Sequence, residues 1–406
     1  MKESIYFLKF WYHFFKTGLL KGLPASLRYG LPARKLKIIA ITGTDGKTTS
    51  STLLYQILKS AGKKVALLST VAAYIGDEKI DTGFHVTTPD AHDLQKIMKR
   101  MVDAGMDYLV LEFTSHGAYQ NRLWGIQPLI AGVTNITHEH FDYHLNYQNY
   151  LEAKAMMITK AKTIVLNEDD QSFTKLKKYL SSKNKIISYN AAIHLPKKIR
   201  DVLEKKLPEA YNQMNARLVI AIATQLNLST EQVAQGIEDF TGVEGRMDFI
   251  PNKRGFQVVI DFAHTPNALE EALESLKKYM RQEKLTGRLI AVYGCAGLRD
   301  YTKRPLMGQI GVNLADLAVF TAEDPRTEDI WSIIRQMKEQ LTNGHNRIVS
   351  IANREQAIDF AINKLARRGD LVAFFGKGPE KSMAYGKVEY PWSEEAVVKQ
   401  ALNKKK

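Results

Sequence analysis

The chain has 406 residues, 45% hydrophobic and 25% charged, the composition of a globular protein with room for two or three hydrophobic cores. Its formal net charge is +14, yet residues 1–37 carry eight Lys/Arg against one acid, and Lys404-Lys405-Lys406 adds a basic tail. No Arg-rich recognition helix or aromatic-basic sheet pattern accompanies that charge, which excludes a nucleic-acid-binding class, and the lone Cys295 excludes an internal disulfide framework and fits a reducing, cytoplasmic setting.

Residues 1–36 form an aromatic, basic N-terminal segment. Ile5, Tyr6, Phe7, Leu8, Phe10, Trp11, Tyr12, Phe14 and Phe15 are interrupted by Lys9 and His13. The run is too short and too broken to span a bilayer, and no small-residue cleavage site follows. It reads as a helix packed on its own domain, as a peripheral membrane contact, or as a partner-binding helix.

From Lys37 onward, strand-like runs alternate with helical patterns, the signature of parallel α/β construction. The first domain, 37–245, has strands expected at Lys37–Thr42, Val65–Leu68, Tyr108–Glu112, Leu129–Thr134, Thr163–Asn167 and Lys185–Ser188, and a helix at Met214–Gln225. The glycine-punctuated stretch 241–246 reads as a linker. The second domain, 246–406, has strands expected at Val258–Asp261, Leu289–Tyr293, Leu317–Thr321, Val349–Ile351 and Leu371–Phe375. Between them stand helices at Asn267–Arg281, Ile330–Leu341 and Arg354–Ala366. The fold class is α/β: a P-loop ATPase-like domain with a mostly parallel sheet, then a Rossmann-like α/β domain.

The most telling stretch is Gly43-Thr44-Asp45-Gly46-Lys47-Thr48-Thr49, set between the apolar Ile38–Ile41 and an amphipathic segment, Ser50–Ser60. Strand, glycine-bracketed turn and helix start in that order make a polyphosphate cradle. Backbone N–H groups face the phosphates, Lys47 neutralises charge and Thr48 offers a hydroxyl to a metal ion. The loop therefore reads as an ATP site.

Other polar clusters sit just past strand ends, where open α/β sheets hold ligands. Glu112 precedes Phe113-Thr114-Ser115-His116-Gly117, and the run from Thr134 to His144 holds His138, His140 and His144. A carboxylate and a histidine from neighbouring strand ends suit Mg²⁺ beside ATP phosphates; a three-histidine zinc site is the alternative. On composition Lys154 is a solvated helix lysine. In the second domain, Asp261-Phe262-Ala263-His264 closes the first strand and Gly294–Asp300 is a second glycine-rich strand end, with Lys303, Arg304 and Pro305 beyond it, a turn with nearby cations that suits phosphate or carboxylate binding. Glu323-Asp324-Pro325-Arg326 and Gly376-Lys377-Gly378-Pro379-Glu380 follow later strands. Acids with an arginine suit a zwitterionic amino acid.

These clusters, in this order, resemble the Mur ligases, ATP-dependent amide-forming enzymes of peptidoglycan synthesis, and most nearly the type that adds the third amino acid. The resemblance runs from about Lys37 to the C-terminus. It implies that residues 43–49 bind ATP, together with Asn212, Asp261 and His264. It implies that Thr48, Glu112, His140 and a carbamylated Lys154 hold Mg²⁺, and that Lys47, Lys154, His140 and Arg299 are catalytic. Thr87, Thr88, Thr114 and Arg122 would contact a nucleotide-sugar peptide; Arg299, Glu323, Asp324, Arg326, Gly376 and Glu380 would contact the incoming amino acid. Arg326 and Glu380 favour meso-diaminopimelate over lysine. The chain departs from the family in Glu323-Asp324, where Asp-Asn is usual, in Pro379, where histidine is usual, and in having only some 36 residues ahead of the ATP-binding strand, without the usual UDP-binding domain. The chain is expected to be a monomer, and the mechanism calls for its domains to close about the linker near residue 245. A ligase for another γ-glutamyl, folate or cyanophycin-like acceptor, or a non-catalytic ATP-binding scaffold, are the competing readings.

Overall fold

The computed structural model describes residues 2–71, 73–80, 87–341 and 344–404, which leaves Lys405 and Lys406 of the basic tail outside the described residues. The chain divides into two compact units between Thr241 and Gly242, within the glycine-punctuated stretch. No helix among the described residues is long and apolar enough to cross a membrane.

The first unit is built on β1 (Lys37–Thr42), β2 (Val65–Leu68), β3 (Ala73–Ile75), β4 (Glu78–Ile80), β5 (Tyr108–Glu112), β6 (Ile130–Val133), β7 (Thr163–Asn167) and β8 (Lys185–Tyr189). They lie in the order β4-β3-β2-β5-β1-β6-β7-β8. From β2 to β8 the pairings are parallel, whereas β3 and β4 are antiparallel edge strands. A parallel sheet covered on both faces needs continuous apolar runs, and Ile38–Ile41 is fully buried along its length. Strand β1 is central, and register sets Ile41 beside Glu112 on one flank and Thr42 beside Val133 on the other. The residues following β5 and β6 therefore border the loop that leaves β1. Here the order of connection reverses, which is where such sheets open a ligand crevice.

The second unit carries β9 (Asp248–Phe249), β10 (Gln257–Asp261), β11 (Leu289–Tyr293), β12 (Leu317–Phe320), β13 (Ile348–Ser350) and β14 (Leu371–Phe375), in the order β13-β12-β11-β14-β10-β9. Only β9 is antiparallel. A hairpin of β15 (Ser382–Tyr385) and β16 (Val388–Pro391) follows. Two apolar layers sandwich the sheet, one around Leu273, Tyr293 and Phe320, the other around Phe256, Ile358 and Phe374.

The expected strands are present to within a residue or so, but several helices start or stop elsewhere. The helix after the phosphate loop begins at Lys47, not Ser50, and the one expected at Met214–Gln225 runs Ala210–Gln225, preceded by an unforeseen helix at Lys197–Lys206. The helix starting at Arg354 is α-helical to Phe360 and closes in wider π-type turns to Leu365. Strands β3, β4, β9, β15 and β16 escape the sequence reading because each is only two to four residues long. Periodicity has no room to register in so few residues.

Candidate active site

The phosphate loop is clamped from behind. Thr44 N donates to Asn135 O (2.8 Å), Asp45 N to Asn135 Oδ1 (2.9 Å) and Thr134 Oγ1 to Asp45 O (2.6 Å), so the residues after β6 fix the loop leaving β1. Gly46 has φ 78°, and a Cβ there would stand 2.0 Å from Asn215 Oδ1. A Cβ on Gly43 would stand 1.8 Å from Thr134 Oγ1. Only glycine lets the backbone pass at both points. Asn212 donates its Nδ2–H to Glu209 and accepts from Asn215 Nδ2, which sets Asn215 against Gly46. Lys47 Nζ donates to the Thr44 carbonyl at 2.7 Å, which curls the side chain back over the loop, and Thr49 is buried in the helix start.

Beneath that helix start, Thr48 Oγ1 donates to Glu112 Oε1 (3.1 Å), and Thr70 reaches the same carboxylate through Oγ1 (2.9 Å) and N (3.0 Å). Glu112 is fully buried. The sequence reading missed Thr70; its one signal is a hydroxyl directly past the C-terminal end of β2. Thr87 Oγ1 lies 2.8 Å from Thr70 Oγ1, Thr88 Oγ1 lies 3.1 Å from Thr114 Oγ1, and Arg122 donates to the Thr88 carbonyl (2.8 Å). Thus Thr87, Thr88, Thr114 and Arg122 gather beside Glu112.

Lys154 is not a solvated helix lysine. It is 1% exposed, with Nζ donating to Gly43 O (2.6 Å) and Thr42 Oγ1 (3.3 Å), 4.7 Å from the Tyr150 ring centroid. Burial, reinforced by the nearby Lys47 charge, pushes its ammonium well below the usual lysine range. His140 adopts φ 58°, a left-handed conformation unusual for a bulky residue. Its ring stands edge-on to His116 at 4.7 Å, and its Nδ1 lies 3.6 Å from Glu139 Oε1.

The three-histidine zinc alternative fails. His144 is fully buried, with Nδ1 bound to Tyr6 OH (2.8 Å) and Nε2 to Ser115 Oγ (3.0 Å), and burial pushes it down to about 2, so it is a neutral structural ring. His138 instead packs on Phe141. Among the described residues, no group of three His, Cys, Asp or Glu is placed to hold a metal. The hydroxyl–carboxylate pair of Thr48 and Glu112 beneath a polyphosphate cradle is a donor set that fits Mg²⁺ instead, since such ions take oxygen ligands and share the phosphates.

In the second unit the strand ends again gather polar groups. Asp261 accepts from Met247 N (2.8 Å) and Ala263 N (2.7 Å). His264 Nδ1 donates to Phe262 O (2.9 Å), and Lys303 Nζ donates to the His264 carbonyl (2.7 Å). Arg299 lies on an exposed turn. Arg304, grouped with it from sequence as a phosphate- or carboxylate-binding cation, is engaged elsewhere: buried, it forks onto Glu328 at 2.6 and 2.8 Å and reaches Gln336 and the Ala296 carbonyl.

The loops after β12 and β14 meet. Lys377, wholly buried, bridges Asp324 Oδ1 (2.9 Å) and Glu380 Oε2 (2.5 Å), and Ala384 N also donates to Asp324 Oδ1 (2.9 Å). Asp324 and Arg326 have φ 44° and 53°, so the turn is held in a conformation that costs energy. Arg326 donates to Gly297 O at 2.8 Å. Glu323 is buried against Gly376, whose hypothetical Cβ would meet Glu323 Oε2 at 2.5 Å. Burial, opposed by Lys303 and Arg354, pushes this carboxyl up to about 8. Glu323, Asp324, Arg326, Gly376 and Glu380 therefore form one cluster. Lys377, given no role from sequence, ties it together.

A buried ion pair holds both loops. Arg354 binds Glu394 through Nε (2.9 Å) and Nη2 (2.6 Å) and donates to the carbonyls of Ala322 (3.0 Å) and Phe375 (2.7 Å). Those carbonyls immediately precede Glu323 and Gly376. The sequence reading missed the pair, because its partners stand apart in the chain without a motif.

A β-strand, glycine-bracketed loop and helix above a buried hydroxyl–carboxylate pair, in a chain with a second parallel α/β unit, define a P-loop-type nucleotide-dependent enzyme. Residues 41–229 match the Mur ligase middle domain, and residues 245–378 match the Mur ligase glutamate ligase domain. The chain belongs to the Mur ligase family. It is 36% identical to the UDP-N-acetylmuramoyl-L-alanyl-D-glutamate–2,6-diaminopimelate ligase of Clostridium botulinum over 381 residues, 88% of this chain and 76% of that protein. To the enzyme of the same name from Bacillus velezensis it is 35% identical over 408 residues, covering 93% and 81%. A solved structure of a ligase so named superimposes with TM-score 0.57 at 29% identity, covering 93% of this chain and 80% of that one. Mycobacterium tuberculosis folylpolyglutamate synthase shares the fold alone, with TM-score 0.72 at 16% identity over 96% of both chains.

Proposed function

We propose that the protein is a cytoplasmic, monomeric ATP-dependent ligase. It adds an amino acid, meso-diaminopimelate, to a UDP-N-acetylmuramoyl-L-Ala-D-Glu acceptor in peptidoglycan synthesis. The carrying observation is the joint presence of the clamped phosphate loop with its Thr48–Glu112 pair and the Asp324–Lys377–Glu380 cluster beside Arg326. Two ion-binding halves of opposite character suit a polyphosphate and a zwitterion.

The acceptor carboxylate attacks the γ-phosphorus of ATP to give an acyl phosphate and ADP. Lys47 and the loop N–H groups offset anion meeting anion. Thr48, Glu112, His140 and a carbamylated Lys154 would hold Mg²⁺, which supplies charge neutralisation on the phosphates. Asn212, Asp261 and His264 would complete the nucleotide site, while Thr87, Thr88, Thr114 and Arg122 orient the acceptor peptide. An amine held by the second unit attacks the acyl carbon, phosphate leaves, and Arg299 is assigned to stabilising the charge that develops. Arg326 pairs with the distal carboxylate of diaminopimelate and Glu380 with its distal ammonium.

Lys154 supports the carbamate reading, because CO₂ adds only to a neutral amine and burial favours that form. Protein equilibrated with ¹³C-bicarbonate should show a carbamate carbonyl resonance that Lys154→Arg lacks. An identical spectrum in the variant would remove this ligand from the site. Arg326→Ala should raise KM for diaminopimelate about 10–100-fold with kcat little changed, the mark of a binding contact made equally in ground and transition state. Equal kinetics would sink its role. The overall test is phosphate release from ATP with the acceptor and meso-diaminopimelate, L-lysine or no amino acid. Release that depends on diaminopimelate is the expected result. Release with lysine alone overturns the amino-acid assignment, and none with either overturns the acceptor.

A further inference from the structure

The N-terminal helices are half packed and half bare. On the packed side, Tyr6 stacks on Tyr119 (centroids 4.5 Å) and accepts that residue's hydroxyl at its carbonyl, Phe10 meets Tyr119, Phe14 meets Trp124, and Gly18 and Gly22 let the Trp124 ring approach. These positions recur every three or four residues, one face of the helix. The opposite face exposes Leu8, Trp11, Tyr12, Phe15, Leu19 and Leu20, with Leu8 65% and Leu20 70% accessible. Such a contiguous apolar stripe is uncommon on a protein surface without a partner.

Its charge says which partner. Lys9 and Lys16 are exposed seven residues apart on the bare side, and Lys16 Nζ stands 5.0 Å from the Tyr12 ring centroid, with its head at the phenol oxygen. Arg28 is exposed further along, Lys21 pairs with Asp90 (3.3 Å), and Glu3 is the one acid of residues 1–37. A second copy of the chain would bring lysines against lysines. Apolar and interfacial aromatic side chains flanked by cations match a bilayer with anionic headgroups, where the rings sit at headgroup depth and lysine stems reach outward.

We propose that this face docks the protein on an anionic membrane surface, lying in the interface without crossing it. The assignment is independent of the reaction, since none of these residues touches the phosphate site. The full chain should pellet with phosphatidylcholine vesicles containing phosphatidylglycerol, and about tenfold less with phosphatidylcholine alone or at high salt. Lys9→Glu with Lys16→Glu should lower binding about tenfold, and Leu8→Ser with Trp11→Ser and Phe15→Ser should abolish it, the far-UV circular dichroism being retained. No binding to anionic vesicles overturns the proposal, as does binding unchanged in the charge-reversed chain. A concentration-dependent dimer in sedimentation velocity, dissolved by the triple substitution, would assign the face to self-association instead.

Discussion

Lys47→Ala is expected to lower kcat at least about a thousandfold while leaving the fold intact. The loop does not depend on Lys47 for its shape. Asn135 and Thr134 hold it through Thr44 and Asp45, and Asn215 backs Gly46. The substitution removes the bond from Nζ to the Thr44 carbonyl at a partly exposed residue. Stability should therefore change by less than about 1 kcal/mol, within the ordinary range for such positions. On the proposed mechanism, catalysis loses the cation that offsets the phosphate charge. A thousandfold corresponds to about 4 kcal/mol of barrier, the size expected when one preorganised charge is deleted from a water-poor site. Lys47→Arg should recover little, because a planar fork cannot replace a compact ammonium curled over its own loop. Phosphate release and thermal unfolding of the two variants decide the matter. Turnover within tenfold of the parent would move the phosphate-neutralising role to another residue.

The phosphate loop was legible because everything that makes it is local. An apolar β-branched run, two glycines and a helix-opening lysine follow one another in the chain, and register then forces Glu112 and Thr134 alongside. The same logic carried the clusters after β12 and β14, since parallel strands deliver their C-terminal loops to one edge. Lys154 marks the limit of that logic. Composition makes it a solvated helix lysine, and only the tertiary approach of the helix Tyr147–Ile158 to the loop after β1 buries it against Gly43 O. His144 is a similar case. Its loop looks exposed and metal-like in sequence, yet Tyr6, from the far end of the chain, and Ser115 take both ring nitrogens. Contacts between residues this distant leave no periodic trace, so neither propensity nor spacing could show them. Arg304 was misread for the same reason: a cation just past a glycine-rich turn looks like a ligand until Glu328 is seen to cover it.

The second large effect lies in a pair with no sequence signature. Glu394→Ala should destabilise the C-terminal unit by about 3–5 kcal/mol, because it leaves the Arg354 guanidinium buried and without its counter-charge. Both side chains are inaccessible to solvent, and Glu394 also accepts from Trp392 Nε1 at 2.9 Å, so its removal strands a second donor. Arg354→Met with Glu394→Leu should recover most of that loss, since apolar residues of similar volume replace a buried ion pair at little net cost. The recovery should stop short of complete, because the Ala322 and Phe375 carbonyls lose their donors at about 1 kcal/mol each. This double variant separates stability from positioning. With the unit refolded but the starts of both loops released, Arg326 and the Asp324–Lys377–Glu380 bridge lose their common anchor, and KM for the amino acid should rise while that for ATP stays near the parent value. Urea unfolding followed by Trp331 and Trp392 fluorescence reads the first effect and steady-state kinetics the second. A single-variant loss under about 1 kcal/mol would mean that Arg354 finds another anion or solvent. Unchanged amino-acid kinetics in the double variant would mean that the two loops keep their places through the Lys377 bridge alone.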